Sequence, residues 1–414
     1  MKRYIELIQN YSRENYSLMI RKPEGMIIHP FIVPGSKTYS NCLWDWDSWL
    51  TNIAVRQIMK DNDDDNKEFT ECEKGCIINF LEHTKTDGRM PIVIEPAKYL
   101  PKEEWTWKTN IHKPCLAQHA AFVIRENGED AEWLRPYMSK MELYIRYYMT
   151  EMYHEKTGLY FWLDDLAIGV DNDPCTYYRP KGSSASIYLN CMMYRELLGM
   201  AYILNLLGED AREYEKAADD LKAAVNEHLW DERNGFYYSA DLNLLPIDPN
   251  QWLHKGMPRH YDCLIQRIDS WSGFMAMWAG IATPERAERM VCENLLKSEL
   301  FYGEYGVRTL AKTEKMYCIV KSGNPSCWLG PVWGISNYMC WRGLVDYGFS
   351  AEAKDLAEKT IRLFGEDLEE CGEFHEYYHP DTGEGIHNKG FQNWNLLVNN
   401  MIAELEDRSV VREF

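Results

Sequence analysis

Ten stretches of this chain repeat apolar residues at helical spacing: 68–83, 115–127, 129–149, 184–207, 210–229, 272–279, 284–296, 332–347, 351–368 and 391–405. An N-terminal stretch at 3–20 and a long one beginning near Trp46 raise the expectation to about a dozen helices. Their connections alternate. Gly128-Glu129 and Gly208-Glu209 are very short turns of the kind that join antiparallel helices. Gly128, Gly208 and Gly348 stand where helices should end, and Thr283-Pro284 and Ser350 where the next should begin. The other connections, 84–113, 152–183, 231–271, 298–330 and 372–390, are long. Short turns on one side and long loops on the other predict an all-α toroid with its long loops gathered at one end. Segments such as GLYFW and GFYYS read as small β-hairpins within those loops, and 27–33 as an extended segment. No sequence repeat or low-complexity linker is visible. Residues 1–414 are therefore expected to form one domain, with 1–33 as a helix and extended lead-in.

A hydrophobic fraction of 45% can bury the core of such a domain. The 45 basic against 64 acidic side chains leave a net charge of −19, which repels phosphate backbones and argues against a nucleic-acid partner. No segment offers the roughly 20 apolar residues that span a bilayer, and the N-terminus lacks a signal-peptide core, so the expected location is cytoplasmic. The 12 cysteines are scattered without zinc-site spacing, and reduced thiols are expected. The 15 Trp and 27 Tyr suit a cleft that stacks sugar rings and equally suit bulky core filling. Oligomeric state is not legible here.

Two loops carry the residues of chemical interest. GVDNDP, 169–174, contains Asp171, close to Asp164, Asp165 and Asp173. An acid that donates a proton at neutral pH needs neighbours that raise its pKa, and these carboxylates and aromatics would do so, although a solvated acidic turn has the same composition. FHEYYHPDTGEG, 374–385, contains Glu376 among aromatic residues, either a base for a bound water or half of an ion pair that holds the loop. In CWLGPVW, Gly330 and Pro331 lie between Trp328 and Trp333, a turn that lets backbone amides approach a ligand under an indole, or a buried Trp-rich helix start. Asp45 and Asp47 in WDWDSW do not share a helical face, so one of them is expected to point into a cleft. The DNDDDN run at 61–66 lacks the Gly and distant Glu of a calcium loop and reads as a solvated turn. No nucleophile elbow, phosphate loop or dinucleotide fingerprint is present.

In this order these blocks resemble glycoside hydrolase family 63 and its relatives the family 37 trehalases, over nearly the whole chain. Within family 63 the length is similar to that of the mannosylglycerate and glucosylglycerate hydrolases. The resemblance implies an (α/α)6 toroid and an inverting α-glycosidase acting on a small α-glucoside or α-mannoside, without cofactor or metal. PGSKTYSNCLWDWDSW resembles the opening block whose Trp-Asp pair holds sugar hydroxyls, here Trp46 and Asp47. GVDNDP resembles the block of the general acid, which falls on Asp171. WLGPVW resembles a pocket-lining block and implicates Trp328, Gly330 and Trp333. HEYYHPDTGEG resembles the block of the general base, which falls on Glu376, with Tyr377 beside it. FQNWN is similar to the closing block and points to Trp394. Two positions depart from the pattern: Leu329 stands where the family usually has Arg, and His112-Lys113-Pro114 where it usually has Gln-Pro-Pro. The alternatives are a sugar isomerase or epimerase on the same toroid, using His bases, and a catalytically silent carbohydrate-binding relative.

Overall fold

A computed structural model describes residues 1–36, 38–64, 67–97, 110–320 and 325–414. Parts of the expected loops 84–113 and 298–330, and the end of the 61–66 run, lie outside the described residues. The described residues form twelve α-helices: α1 Lys2–Asn15, α2 Asp45–Asp61, α3 Lys67–Glu82, α4 Leu116–Glu126, α5 Met138–Glu151, α6 Ile187–Leu207, α7 Arg212–His228, α8 Met275–Trp278, α9 Pro284–Arg289, α10 Gly334–Asp346, α11 Ser350–Cys371 and α12 Val398–Leu405.

Even-numbered helices form an inner ring and odd-numbered ones an outer ring. The sequence shows why. α6 is apolar on nearly every side and buries the consecutive residues Leu189, Asn190, Cys191 and Met192, which point in four directions around its axis, as a helix with neighbours on all faces must. α7 instead buries only Tyr214, Ala218, Leu221, Ala224 and Val225, one stripe of a charged helix. Contacts run from α2 to α4, α6, α8, α10 and α12 and back to α2, so the inner ring closes on itself, while α1 packs on α11. This is the (α/α)6 toroid.

The expected helix limits hold for α3, α4, α6, α7, α8, α10 and α11 to within about three residues, the usual uncertainty of helix ends. Elsewhere the chain departs for local reasons. The 129–149 stretch begins as a 3-10 segment, Glu132–Tyr137, and turns α-helical only beyond Pro136, whose ring disfavours the preceding turn. The 3–20 stretch ends its α-helix at Asn15, whose amide Nδ2 donates to the carbonyl of Tyr11, and continues as a 3-10 turn. Gly208 closes α6 in the left-handed conformation, and Thr283 accepts the amide of Arg286 ahead of Pro284. Ser350 is the first residue of α11 and not its cap.

The two expected hairpins are present, pairing Tyr153–His154 with Leu159–Tyr160 and Trp230–Asp231 with Phe236–Tyr237. Other two-residue ladders join distant loops: Leu43–Trp44 with Val93–Ile94 ahead of α2, and Val332–Trp333 with Tyr377–Tyr378 ahead of α10. The long loops thus collect at the N-terminal ends of inner helices.

Towards the other ends of those helices lies the C-terminal segment. Val411 donates to Gln57 on α2, and buried Glu413 accepts from Trp278 Nε1 at 2.8 Å and from Tyr338 OH at 2.7 Å. Its carboxylate stands 3.4 Å from Arg342 Nε, with both side chains only 2% exposed. Burial alone would raise the pKa of Glu413, but the charges of Arg342 and then Arg195 outweigh it and hold it at about 2. Glu413→Gln keeps the shape and leaves those arginines uncompensated, so it should destabilise the fold by about 3–5 kcal/mol. A urea or thermal denaturation midpoint equal to that of the parent protein would contradict this.

Candidate active site

A cavity with about 600 Å³ of open space, its mouth included, lies among the gathered loops. Asp171 and Glu376 both line it, with Trp46, Asp47, Trp328, Trp333 and Trp394. Seven of the nine side chains singled out from the sequence therefore meet in one place. Gly330 and Tyr377 do not line it.

The loop of Asp171 is bent so that its acidic residues separate. Gly169 has φ +86°, and a Cβ there would come within 2.5 Å of Lys113 Cε and 2.8 Å of the Trp46 ring, so only glycine lets the loop lie on that indole. Asn172, also at positive φ, donates to the Ser326 carbonyl at 3.3 Å and accepts from the Trp328 amide at 3.1 Å, tying this loop to the tryptophan block. Asp173 turns inward, accepts from the Cys175 amide and the Thr176 hydroxyl, and is raised by burial to about 6. Asp164 accepts from Asn110 and pairs with Lys181 at 3.1 Å. Of the aspartates in this loop, Asp171 is the one on the cavity.

Glu376 is held in a hairpin: its amide donates to the His387 carbonyl at 2.8 Å, and that of Ile386 to the Tyr377 carbonyl at 3.0 Å. Its carboxylate is 4% exposed in the residue as a whole, accepts from Asn388 Nδ2 at 2.9 Å and Tyr39 OH at 3.4 Å, and stands 3.9 Å from His387 Nε2. Among the described residues no lysine or arginine pairs with it, and the ion-pair partner the structure offers is His387 when protonated. Burial pushes its pKa up to about 7. The Asn388 donation opposes that, and the negative charges of Asp47 and Asp171 add to it.

The walls are aromatic. Trp328 and Trp333 stack at 4.1 Å and 12°, Trp271 backs the first at 5.9 Å, and Tyr377 backs the second at 4.8 Å. Tyr377 supports the wall from behind, its hydroxyl donating to the Pro325 carbonyl at 2.6 Å. Gly330 is buried at φ +139° with its amide on Thr309 Oγ1 at 3.1 Å, and a Cβ would strike the Tyr317 ring at 2.4 Å. Its amide is therefore occupied within the fold. Trp46 packs against Trp394 at 5.1 Å and Trp328 at 6.2 Å. The indole N–H groups of Trp44 and Trp394, both on the cavity lining, have no partner among the described residues.

Asp47 lines the cavity from the first turn of α2, accepting from Asn393 Nδ2 at 2.6 Å. Burial and then the neighbouring Asp45 raise it to about 7, against the opposing charge of Lys113. Asp45 faces away, its two oxygens each 3.0 Å from Lys113 Nζ. Lys113 also lines the cavity, with its ammonium 5.2 Å from the centre of the Trp46 ring. His112 is core: it packs on Phe80 and Tyr144, and burial lowers its pKa to about 4. No histidine lines the cavity among the described residues, and Leu329 does not line it either.

Tyr39, Trp44, Lys113, Phe391 and the partners Asn388 and Asn393 were not singled out as site residues from the sequence. Tyr39, Lys113 and Phe391 lay inside blocks already marked. Trp44 and Asn393 also lay inside marked blocks, whereas Asn388 carried no signal, because what selects it is proximity across the fold.

Residues 39–394 match the family model described as the mannosylglycerate hydrolase MGH1-like glycoside hydrolase domain. The chain belongs to this glycoside hydrolase family. It is 29% identical over 231 residues to a mannosylglycerate hydrolase of Thermus thermophilus, covering 55% of this chain and 48% of that one. It is 26% identical over 396 residues to a cytosolic neutral trehalase of Emericella nidulans, covering 81% of this chain and 50% of that one. The chain thus spans about half the length of these curated relatives, and only 27% of a probable trehalase of Eremothecium gossypii. Its fold superposes on a GH63 mannosylglycerate hydrolase from Thermus thermophilus, solved with glucose, with a TM-score of 0.67 at 20% identity over 96% of this chain and 98% of that one. The neutral trehalase of Saccharomyces cerevisiae gives 0.62 at 17% identity over 90% and 73%. These likenesses place the MGH1-like chain in the GH63 group related to the trehalases.

The electrostatics of this MGH1-like site can be tested without a substrate. In carboxyl carbon NMR, Glu376 should titrate near pH 7, identified by its loss in Glu376→Gln. Asn388→Ala removes a donor that favours the ionised form and should move that titration to higher pH. A midpoint in the ordinary glutamate range would refute the assignment.

Proposed function

We propose that this MGH1-like chain is an inverting α-glycosidase acting on a small α-glucoside or α-mannoside, of disaccharide or glycosylglycerate type. One observation carries the proposal: Asp171 and Glu376, remote in sequence, line the same tryptophan-walled cavity. Relatives named as mannosylglycerate hydrolase and trehalase support the class of substrate.

In the proposed mechanism Asp171 gives its proton to the glycosidic oxygen as the C–O bond to the anomeric carbon breaks. Glu376 takes a proton from water, whose oxygen attacks that carbon from the opposite face, so one displacement inverts the anomeric centre. The aglycone leaves as its alcohol. Proton transfer in the reverse sense through solvent then restores both carboxyl groups. Burial and two neutral donors suit Glu376 to the basic role, because a base whose pKa lies near the working pH is both ionised and able to hold a proton. Trp46, Trp328, Trp333 and Trp394 would cover the apolar faces of the sugar, with Asp47 accepting from its hydroxyls. The isomerase alternative asks for imidazole bases, which the described lining does not provide.

Incubation with a panel of α-glucosides and α-mannosides, including trehalose and glycerate conjugates, should release two products, the first-formed sugar having the β configuration by proton NMR. A first-formed α anomer, or product of unchanged mass, would sink the mechanism. Asp171→Asn and Glu376→Gln should each lower kcat by about 10²- to 10⁴-fold with the fold intact. Below the pKa of Glu376 the base is protonated, so kcat/KM should fall on the acid side with a midpoint near pH 7.

A further inference from the structure

Outside the cavity, one group of side chains combines three kinds of metal ligand. Asp367 and Cys371 lie one helical turn apart on the same face of α11. Gly372 ends that helix in the left-handed conformation, and the chain doubles back to bring His375 over the same face. A carboxylate oxygen of Asp367, the Cys371 sulfur and a ring nitrogen of His375 all lie within 4.8 Å of one another. We propose that Asp367, Cys371 and His375 form a binding site for a thiophilic divalent cation such as Zn²⁺, with water as the fourth ligand.

The hydrogen bonds divide Asp367 in the way such a site needs. Oδ2 accepts from Tyr378 OH at 2.8 Å and from the His375 amide at 2.9 Å, which fixes the carboxylate from the inside. Oδ2 also lies 3.1 Å from His375 Nδ1, but Oδ1 is nearer to that nitrogen, at 2.9 Å. A cation would replace the proton between those two atoms, with that proton and the thiol proton leaving to solvent. The surrounding donors would keep the carboxylate oriented as outer-sphere partners do for known zinc ligands. Sulfur, imidazole and carboxylate together favour zinc over magnesium or calcium, which prefer oxygen alone. Cys371 and His375 are only partly buried, so a cation and its water can enter.

Occupancy should reach the active site, a consequence that rests on the proposed role of Glu376. Glu376 follows His375 directly, and Asn395 Nδ2 holds the His375 carbonyl at 2.8 Å. Tetrahedral bonds of about 2.0–2.2 Å to nitrogen and oxygen set those atoms on the order of 3.3 Å apart. The ring must therefore move away from Asp367, and the base moves with it. The site is inhibitory.

The test uses the whole chain, freed of metal by chelator and titrated with Co²⁺ and then Zn²⁺. Co²⁺ should give a thiolate charge-transfer band in the near ultraviolet that Zn²⁺ abolishes. Cys371→Ser should remove the band and weaken Zn²⁺ binding, measured by calorimetry, by more than about tenfold, the scale of even an outer-sphere change. Hydrolysis by the parent protein should fall about tenfold or more on saturation with Zn²⁺ and recover with chelator, while Cys371→Ser should be insensitive. His375→Gln gives a second removal of a ligand. A band absent from the parent, or equal in parent and Cys371→Ser, overturns the site, since the other cysteines would then be responsible. A band lost in Cys371→Ser with hydrolysis unchanged by Zn²⁺ supports the site and overturns its inhibitory coupling to Glu376, while the role of Glu376 itself is judged separately by Glu376→Gln.

Discussion

Two backbone pairs, Val332 with Tyr378 and Trp333 with Tyr377, join the segment before α10 to the segment after α11. The ladder is short, yet much of the site depends on it. It sets Tyr377 against the back of Trp333 and so braces the stack through Trp328 to Trp271. It also fixes the residue before Tyr377, which is Glu376, at the edge of the same wall. A strand register admits no half steps, because a slip of one residue turns every side chain to the opposite face. The backbone position of Glu376 relative to the indoles is therefore set by hydrogen bonds of the main chain, and Asn388 and Tyr39 then hold its carboxylate. The toroid supplies the other half of this arrangement. Its inner helices all present their N-termini to the cavity end, so the segments that lead into them converge whatever their separation in sequence.

Convergence gathers acidic groups as well as aromatic ones. Asp47, Asp171 and Glu376 share a cavity with Lys113, whose ammonium already contacts both oxygens of Asp45. Burial disfavours the charged form of Asp47 and of Glu376; the charge of Asp45 adds to it for Asp47, and those of Asp47 and Asp171 add to it for Glu376. Asp47 and Glu376 are both raised to about 7 for these reasons. For Asp47 the charge of Lys113 and then the Asn393 donation moderate the effect, whereas for Glu376 the donations from Asn388 and Tyr39 do so without a positive charge. Such an environment suits proton transfer at neutral pH, since neither protonation state is strongly preferred.

The fold was more legible in the sequence than the site. Helical periodicity is a local property that burial writes along the chain, and α6 and α7 differ as visibly in composition as in position. What periodicity missed were breaks enforced by single residues, such as Pro136 ahead of α5. The site is a relation between loops. Asp171 and Asp173 are indistinguishable as residue types in an acidic turn, and what separates them is that Asp173 turns inward to the Cys175 amide and Thr176 hydroxyl. Gly330 and Trp328 sit two residues apart in one block, but the turn that exposes the indole directs the glycine amide to Thr309. Only resemblance to a family could assign roles in these blocks, because the deciding contacts join residues far apart in the chain.

The same distinction bears on the two departures from the family pattern. Leu329 and His112 both fall in blocks expected to line the pocket, yet neither lines it among the described residues, and His112 is packed between Phe80 and Tyr144. The departure that reaches the cavity is Lys113. Its ammonium lies beside the Trp46 ring, its methylene chain fills the space that Gly169 leaves open, and its charge lowers the pKa of Asp47. A neutral residue here would leave Asp45 buried without its cation and would push Asp47 further towards the protonated form. The change at this position therefore acts on the charge of Asp47 as well as on the shape of the cavity. Of the positions that depart from the family pattern, Lys113 is the one on the described cavity lining, and its pairing with Asp45 carries the change into the cavity.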